Sequence, residues 1–160
     1  MLNSKPSSTT LLPRPDAPLL TLAALAFLGF ADSVYLAAEH YFSIPLPCSL
    51  ANGCEKVLTS AYSTVGPIPL ALFGVAFYLG ILALALYLYA APTFNRTGAR
   101  LLFAGTVIGL IMSAAFVSIQ AFLIHAYCLY CLGSALDTLL LFAAGVWLLR
   151  ASAKRGDETS

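Results

Sequence analysis

The sequence predicts an all-α membrane protein, a four-transmembrane-helix bundle with a short helix in the first outer loop. Three observations lead there. Hydrophobic residues fill 60% of the 160 positions and charged residues 9%, too few charges to clothe a water-facing surface on so small a protein. Four apolar segments, Leu19–Ala38, Pro67–Ala91, Leu101–Ile124 and Leu129–Leu149, reach the roughly 20 residues that a bilayer core requires. Four spans also place both termini and the turn 92–100 on one side. That side carries Lys5, Arg14, Arg96, Arg100, Arg150, Lys154 and Arg155, against Lys56 alone on the other. The bias predicts cytoplasmic termini and an outward-facing loop over 39–66. Residues 1–18 and 151–160 are then cytoplasmic tails around a membrane domain at 19–150. With a net charge of +1, nothing calls for a nucleic acid or an acidic substrate.

The first span follows a Pro- and Ser-rich stretch and Lys5 and Arg14, the pattern of a secretory signal. A retained span is the expectation, because the apolar run is long for a signal, Asp32 interrupts it and Ala37-Ala38-Glu39 is a poor cleavage site. Asp32 is an intramembrane carboxyl and so a candidate functional group. Its bland alternative is a hydrogen-bonded packing residue, with Ser33 and Tyr35 as nearby partners. Tyr41, Phe42, Tyr62, Tyr127 and Tyr130 fit an outer interfacial belt; Tyr87, Tyr89, Phe94 and Trp147 fit an inner one.

In the outer loop, Pro45 and Pro47 force an extended approach to Cys48. Asn52-Gly53-Cys54-Glu55 reads as a helix start with Asn52 as N-cap and Glu55 at the third position, running to about Ser60. Cys54 then lies in the first turn, where free backbone N–H groups favour a thiolate. Pro67 is expected to open the second span, and Tyr62, Ile68, Leu70 and Phe73 to cap the bundle. The second span has no acid or base apart from its tyrosines. Asn95-Arg96-Thr97 has the form of a glycosylation sequon, and its cytoplasmic placement makes it a chance match. Gly105, Gly109 and Ser113 recur every four residues in the third span, a helix-packing ridge.

The four cysteines, Cys48, Cys54, Cys128 and Cys131, all fall on the outer side, where disulfides persist. Two structural bridges are one reading, but bridges across so few residues remove little chain entropy. A site holding zinc on four thiolates is another, without a basic cluster to offset the charge. A c-type haem is excluded, because Leu132 follows the second cysteine of Cys128-x-x-Cys131. Redox activity suits the spacing best. On a helix Cys131 lies one turn, about 4.5 Å, deeper than Cys128, so Cys128 can face the loop and Cys131 an apolar cavity. A lipid-soluble two-electron acceptor is a quinone, and the placement suggests an electron relay from loop to membrane.

Three stretches carry a resemblance to a known family: Gly53-Cys54-Glu55-Lys56-Val57-Leu58-Thr59-Ser60, the run Gly66–Gly74, and Tyr127-Cys128-Leu129-Tyr130-Cys131. Together they resemble bacterial homologues of vitamin K epoxide reductase, over essentially Leu19–Arg150. The specific combination is a loop cysteine pair, a serine six residues after its second member, and a CxxC opening the last span. The other quinone-linked four-helix disulfide catalyst, the DsbB type, carries these pairs in the reverse order. The resemblance implies a thiol:quinone oxidoreductase of the inner membrane, with Cys48 and Cys54 as shuttle pair and Cys128 and Cys131 as quinone-facing pair. It implies a separate periplasmic thioredoxin-like, DsbA-type partner, and ubiquinone or menaquinone as acceptor. Cys54 would attack Cys128 and free Cys131 beside the quinone. Ser60, Phe73, Cys131 and Ala135 are the expected quinone contacts, Ser60 having a helix-capping hydroxyl as its plainer role.

Departures from the family matter too. Vertebrate members carry a tyrosine four residues after the CxxC and an asparagine in the second span, where this chain has Ala135 and apolar residues near Leu70. Simple quinone reduction is therefore expected over reduction of a vitamin K quinone or epoxide. His125, three residues before Cys128, reads as interfacial more than as a thiolate partner. Asp137 lies about 120° round the helix from Cys131, a bundle partner for Asp32 or a tyrosine, while Ser134, Ala135 and Thr138 share the Cys131 face.

Overall fold

The computed structural model describes residues 16–42, 53–91 and 96–158, with side chains as far as Ala153. Lys5, Arg14, Pro45, Pro47, Cys48, Asn52, Phe94 and Asn95 lie outside the described residues. Helix α1 runs over Asp16–Phe42, with Asp16 in its first turn opposite the positive end of the helix dipole. It is longer at both ends than its apolar core. Pro18 does not delay it, because a first-turn N–H has no partner to lose. Helix α2 is the short loop helix Gly53–Leu58. Helix α3 covers Leu70–Ala90, α4 covers Arg96–Ile119, and α5 covers Leu129–Glu158. Helix α5 thus continues past Leu149, where the apolar run ends.

Pro67 does not open a helix. Strands β1 (Thr64–Val65) and β2 (Ile68–Pro69) form an antiparallel hairpin, with Val65 opposite Ile68 and Thr64 opposite Pro69. Gly66 has φ +63, and the next residue is a proline whose ring holds φ near −65°. Positive then negative φ is the sequence of a type II′ turn, which matches strand twist. Leu70 N–H closes the loop on the Ser63 carbonyl at 2.8 Å. Pro69, extended at φ −66 and ψ 140, then caps α3.

Four helices, Asp16–Phe42, Leu70–Ala90, Arg96–Ile124 and Leu129–Ala153, are long and apolar enough to cross a membrane. Their outward faces carry large hydrophobic side chains such as Phe27, Leu28, Leu79, Ile108, Ile111 and Leu136, all exposed. In water that surface would be untenable; in lipid it is the solvated face. The chain is a multi-pass helical membrane protein. Tyr41, Phe42, Tyr62 and Tyr127 are exposed near the loop end, and Tyr87, Tyr89 and Trp147 near the other, as the aromatic belts require.

Helix α1 packs broadly against α3 and α5, and α4 against α5, while α3 and α4 touch more lightly. The buried core is one-sided. It joins Leu19, Leu22 and Ala26 of α1, Tyr78, Ile81, Ala85 and Leu88 of α3, Ala99 and Leu102 of α4, and Leu141, Ala144 and Leu148 of α5. All but Tyr78, which stands at the junction with the loop half, lie in the half of the bundle away from the loop. Small residues let the helices meet there: a Cβ on Gly105 would lie 2.7 Å from Ile81, and one on Gly109 would strike the Phe77 ring. The ridge expected on α4 therefore packs on α3, with Ser113 above it lining a cavity.

Tyr78 is 2% exposed, and its ring occupies the place of a Cβ on Gly29. Gly29→Ala must push that ring or part α1 from α3, at about 1–3 kcal/mol. Thermal or SDS unfolding in detergent should show a lower midpoint. Gly80→Ala, with nothing within 4 Å of its Cβ, should leave the midpoint unchanged or higher.

Candidate functional site

Helix α2 lies over the short connection between α4 and α5. Gly53 makes that approach possible, because any Cβ there would run into the Tyr127 carbonyl oxygen. Cys54, Val57 and Cys128 consequently share a buried apolar cluster, flanked by Ile124, Ala126, Tyr130 and Cys131. Three of the four cysteines predicted from sequence are thus brought together; Cys48 lies outside the described residues. Cys54 is disulfide-bonded, whereas Cys128 and Cys131 are free thiols.

The connection itself is tightly tied. The last turn of α4 widens into a π-turn over Gln120–Ile124, where the sequence reading continued an ordinary helix. His125 ends it in the left-handed region at φ 52, its N–H returning to the Gln120 carbonyl. The Ala126 N–H reaches the same oxygen at 3.3 Å. Gln120 then acts a second time: its side-chain Oε1 accepts the Cys128 N–H at 2.9 Å. One buried residue, 3% exposed, therefore holds both ends of the connection. Such π-turns mark functional positions often enough to be informative, but nothing in the sequence distinguishes this glutamine from a packing residue.

Cys128 is the N-cap of α5. Its carbonyl accepts the Leu132 N–H at 3.0 Å, and its sulfur takes hydrogen bonds from the Cys131 thiol and from the backbone N–H groups of Cys131 and Tyr130. An N-cap side chain normally satisfies the second and third helical N–H groups, and here a sulfur does so. The Cys131 thiol first, then those N–H groups, stabilise the thiolate against burial, which lowers the Cys128 pKa to about 7. The sequence reading assigned helix-terminus activation to Cys54. Cys54 does lie in the first turn of α2 and is disulfide-bonded; of the two free thiols, it is Cys128 that a helix start stabilises.

Cys131 lies one turn on and lines a cavity of about 490 Å³, within the range of small-molecule sites. The cavity occupies the loop half of the bundle, where α3 and α4 part above the Gly109–Phe77 contact. Leu70, Phe73 and Phe77 of α3 and Met112, Phe116 and Val117 of α4 make its wall apolar. Ser60 and Phe73, two of the expected contacts, line it, and Ala135 does not. On α5 the lining residues are Cys131, Ser134 and Thr138. Ser60 also donates its hydroxyl to the Val57 carbonyl at 2.7 Å, so it caps α2 and faces the cavity at once. His125 is exposed, with Nδ1 3.3 Å from the Leu123 carbonyl.

A polar column descends beside the cavity. The Tyr78 hydroxyl is 2.7 Å from Ser134 Oγ, Asp137 stands against the same tyrosine, and Asp32 lies within electrostatic reach of both. Asp137 is thus the tyrosine partner that its helical position suggested. Ser33 and Tyr35 do not serve Asp32: Ser33 faces Gly74, whose Cβ would sit 2.7 Å from its Oγ, and Tyr35 packs on Tyr130 with ring centroids 5.6 Å apart. Asp32 and Ser33 are adjacent in the helix and point about 100° apart, so these two cannot converge. One buried oxygen of each carboxyl, Oδ2, has no hydrogen-bond partner among the described residues.

A membrane bundle with paired cysteines at its rim and an apolar cavity beneath them can pass electrons between a thiol partner and a lipid-soluble acceptor. A comparison with individually curated proteins found no match. The model of the vitamin K epoxide reductase family matches residues 20–146, spanning all of the cavity and three cysteines described above. The chain belongs to the vitamin K epoxide reductase family, whose members are membrane oxidoreductases.

Proposed function

We propose that the protein is a thiol:quinone oxidoreductase of the inner membrane that reoxidises a thioredoxin-like, DsbA-type partner on the periplasmic side. The observation that carries this reading is the buried cluster of Cys54 with Cys128, continued by Cys131 into an apolar cavity. The partner hands two electrons to the Cys48–Cys54 pair and leaves oxidised. The Cys54 thiolate attacks the Cys128 sulfur of a Cys128–Cys131 disulfide. That S–S bond breaks, a Cys54–Cys128 bond forms, and Cys131 leaves as thiolate. Cys48 next attacks Cys54 and displaces Cys128. The loop pair is now the disulfide and the CxxC pair the dithiol, which is how Cys54, Cys128 and Cys131 are found here.

Cys128 is well suited to that displacement, because a thiol of lower pKa leaves faster in exchange. The dithiol then yields two electrons and two protons, which a bound quinone, ubiquinone or menaquinone, accepts as it becomes quinol. Thiol hydrogens and electrons balance: the reduced partner supplies both, so no separate proton source is needed. The cavity fits such an acceptor: its wall is apolar, it reaches lipid depth, and the inner thiol of the pair lines it. The outward orientation follows from the basic residues of the sequence.

Three measurements test the scheme. Cys48→Ala, which lacks the resolving thiol, should accumulate Cys54 and Cys128 as a mixed disulfide visible by non-reducing peptide mapping, and Cys131→Ala should abolish quinone-dependent oxidation of a reduced thioredoxin-like partner. Persistent quinone reduction in that variant would sink the relay. Thiolate absorbance of Cys128 in the dithiol state should titrate near pH 7, its signal climbing between about pH 6 and 8 and then levelling. In Cys131→Ala the thiol donor is gone, and the titration should move up toward the ordinary thiol value of 9.0. Gly53→Val should slow exchange between Cys54 and Cys128 by at least about tenfold by displacing α2 from Tyr127, yet leave oxidation of the CxxC dithiol by quinone unchanged.

A further inference from the structure

The inference rests on the cavity being a quinone site, and it concerns Gln120. This side chain is 3% exposed and lines the same cavity as Cys131. Its amide orientation is dictated by chemistry. Oε1 must be the atom that meets the Cys128 N–H at 2.9 Å, because the reversed amide would set donor against donor. The amide nitrogen therefore points away from Cys128, and it donates to no protein acceptor among the described residues. Nor is it sealed off, since the fully enclosed atoms without partners are Asp32 Oδ2 and Asp137 Oδ2. On so buried a residue, the open space next to it is the cavity.

We infer that the Gln120 amide N–H group donates a hydrogen bond to a carbonyl oxygen of the bound quinone. A quinone carbonyl is an acceptor without a proton to give, the complement of an amide N–H. The hydroxyls of Ser60, Ser63, Ser134 and Thr138 around the cavity are already engaged with protein groups. Negative charge gathers on a quinone oxygen as electrons arrive, and a fixed donor aimed at it strengthens as it does. The same side chain holds the Cys128 backbone, so one residue registers the dithiol and the acceptor against each other.

The test reads binding without turnover. In the fully disulfide-bonded protein no thiol can reduce the ligand or add to it. Calorimetric titration then compares 2,3-dimethyl-1,4-naphthoquinone with 2,3-dimethylnaphthalene, a hydrocarbon of the same outline without carbonyls. Wild type should prefer the quinone, and Gln120→Met should reduce that preference about three- to tenfold, the worth of one neutral hydrogen bond. Affinity for the hydrocarbon should not change. Ser118→Ala, outside the cavity lining and with its hydroxyl on the Ala114 carbonyl, should keep the preference. If Gln120→Met binds both ligands as wild type does, or weakens both equally, the inference is overturned and Gln120 is a positioning residue for Cys128 alone. If wild type shows no preference for the quinone, the quinone reading of the cavity falls, and the inference with it.

Discussion

The arrangement of the site depends on one buried amide. Between α4 and α5 the chain must reverse at a membrane surface within a few residues, and a reversal so short leaves helix-end polar groups without partners. Gln120 removes that problem from both sides. Its carbonyl receives the His125 and Ala126 N–H groups, and its side chain receives the N–H of Cys128. Gln120 opens the π-turn and is buried, and the chain that follows the turn comes back so that the Cys128 N–H meets its side chain. Cys128 is thereby pinned at the N-cap of α5 instead of floating in a loop, and everything that distinguishes it chemically follows from that position.

A second constraint is the division of the bundle into halves. A membrane gives helices no hydrophobic reason to associate, so close packing must supply it. In the half away from the loop, alanines and glycines allow Leu19, Leu102, Leu141 and Leu148 to pack closely. That tightly packed half lets the other stay open. Near the loop α3 and α4 separate, and the gap becomes a cavity roofed by α2 and the hairpin at Gly66. The polar column of Tyr78, Ser134 and Asp137 stands at the junction of the halves.

Much of this is legible in the sequence, and the rest has identifiable reasons for being hidden. Span number follows from runs of about twenty apolar residues. The chemistry of Cys54, Cys128 and Cys131 follows from their spacing, and the glycine ridge of α4 from its four-residue period. Helix ends are less legible: an apolar run marks where lipid begins, whereas α1 and α5 continue into polar sequence at Asp16 and beyond Leu149. The hairpin escapes because proline after glycine suits both a helix start and a type II′ turn, and a packing context decides between them. Gln120 escapes because a lone glutamine in an apolar run reads as tolerated, its role appearing only when the chain beyond the π-turn brings Cys128 to it. Ala135 fails as a cavity residue for a related reason: a position counted from a motif does not say where a helix is rotated, and Ser134 and Thr138 take the cavity face instead.

Depth then explains why the two CxxC thiols cannot exchange places. The N-cap position is unique in offering a side chain two backbone donors, and only Cys128 occupies it. A thiolate there is stabilised by the protein, is roofed by α2, and meets Cys54. Cys131, at the third helical position, spends its own backbone N–H on Cys128 and has its sulfur in an apolar cavity. A sulfur in that setting is poorly placed to hold charge for long, because a thiolate in an apolar pocket forgoes solvation. It is well placed to give up electrons to a neutral acceptor that dissolves in lipid. Under the proposed relay, reversing the motif would put the stable thiolate in the membrane and the neutral thiol under the loop, away from the partner each would serve. In that relay the order of the pair along the helix sets the side from which each partner would come.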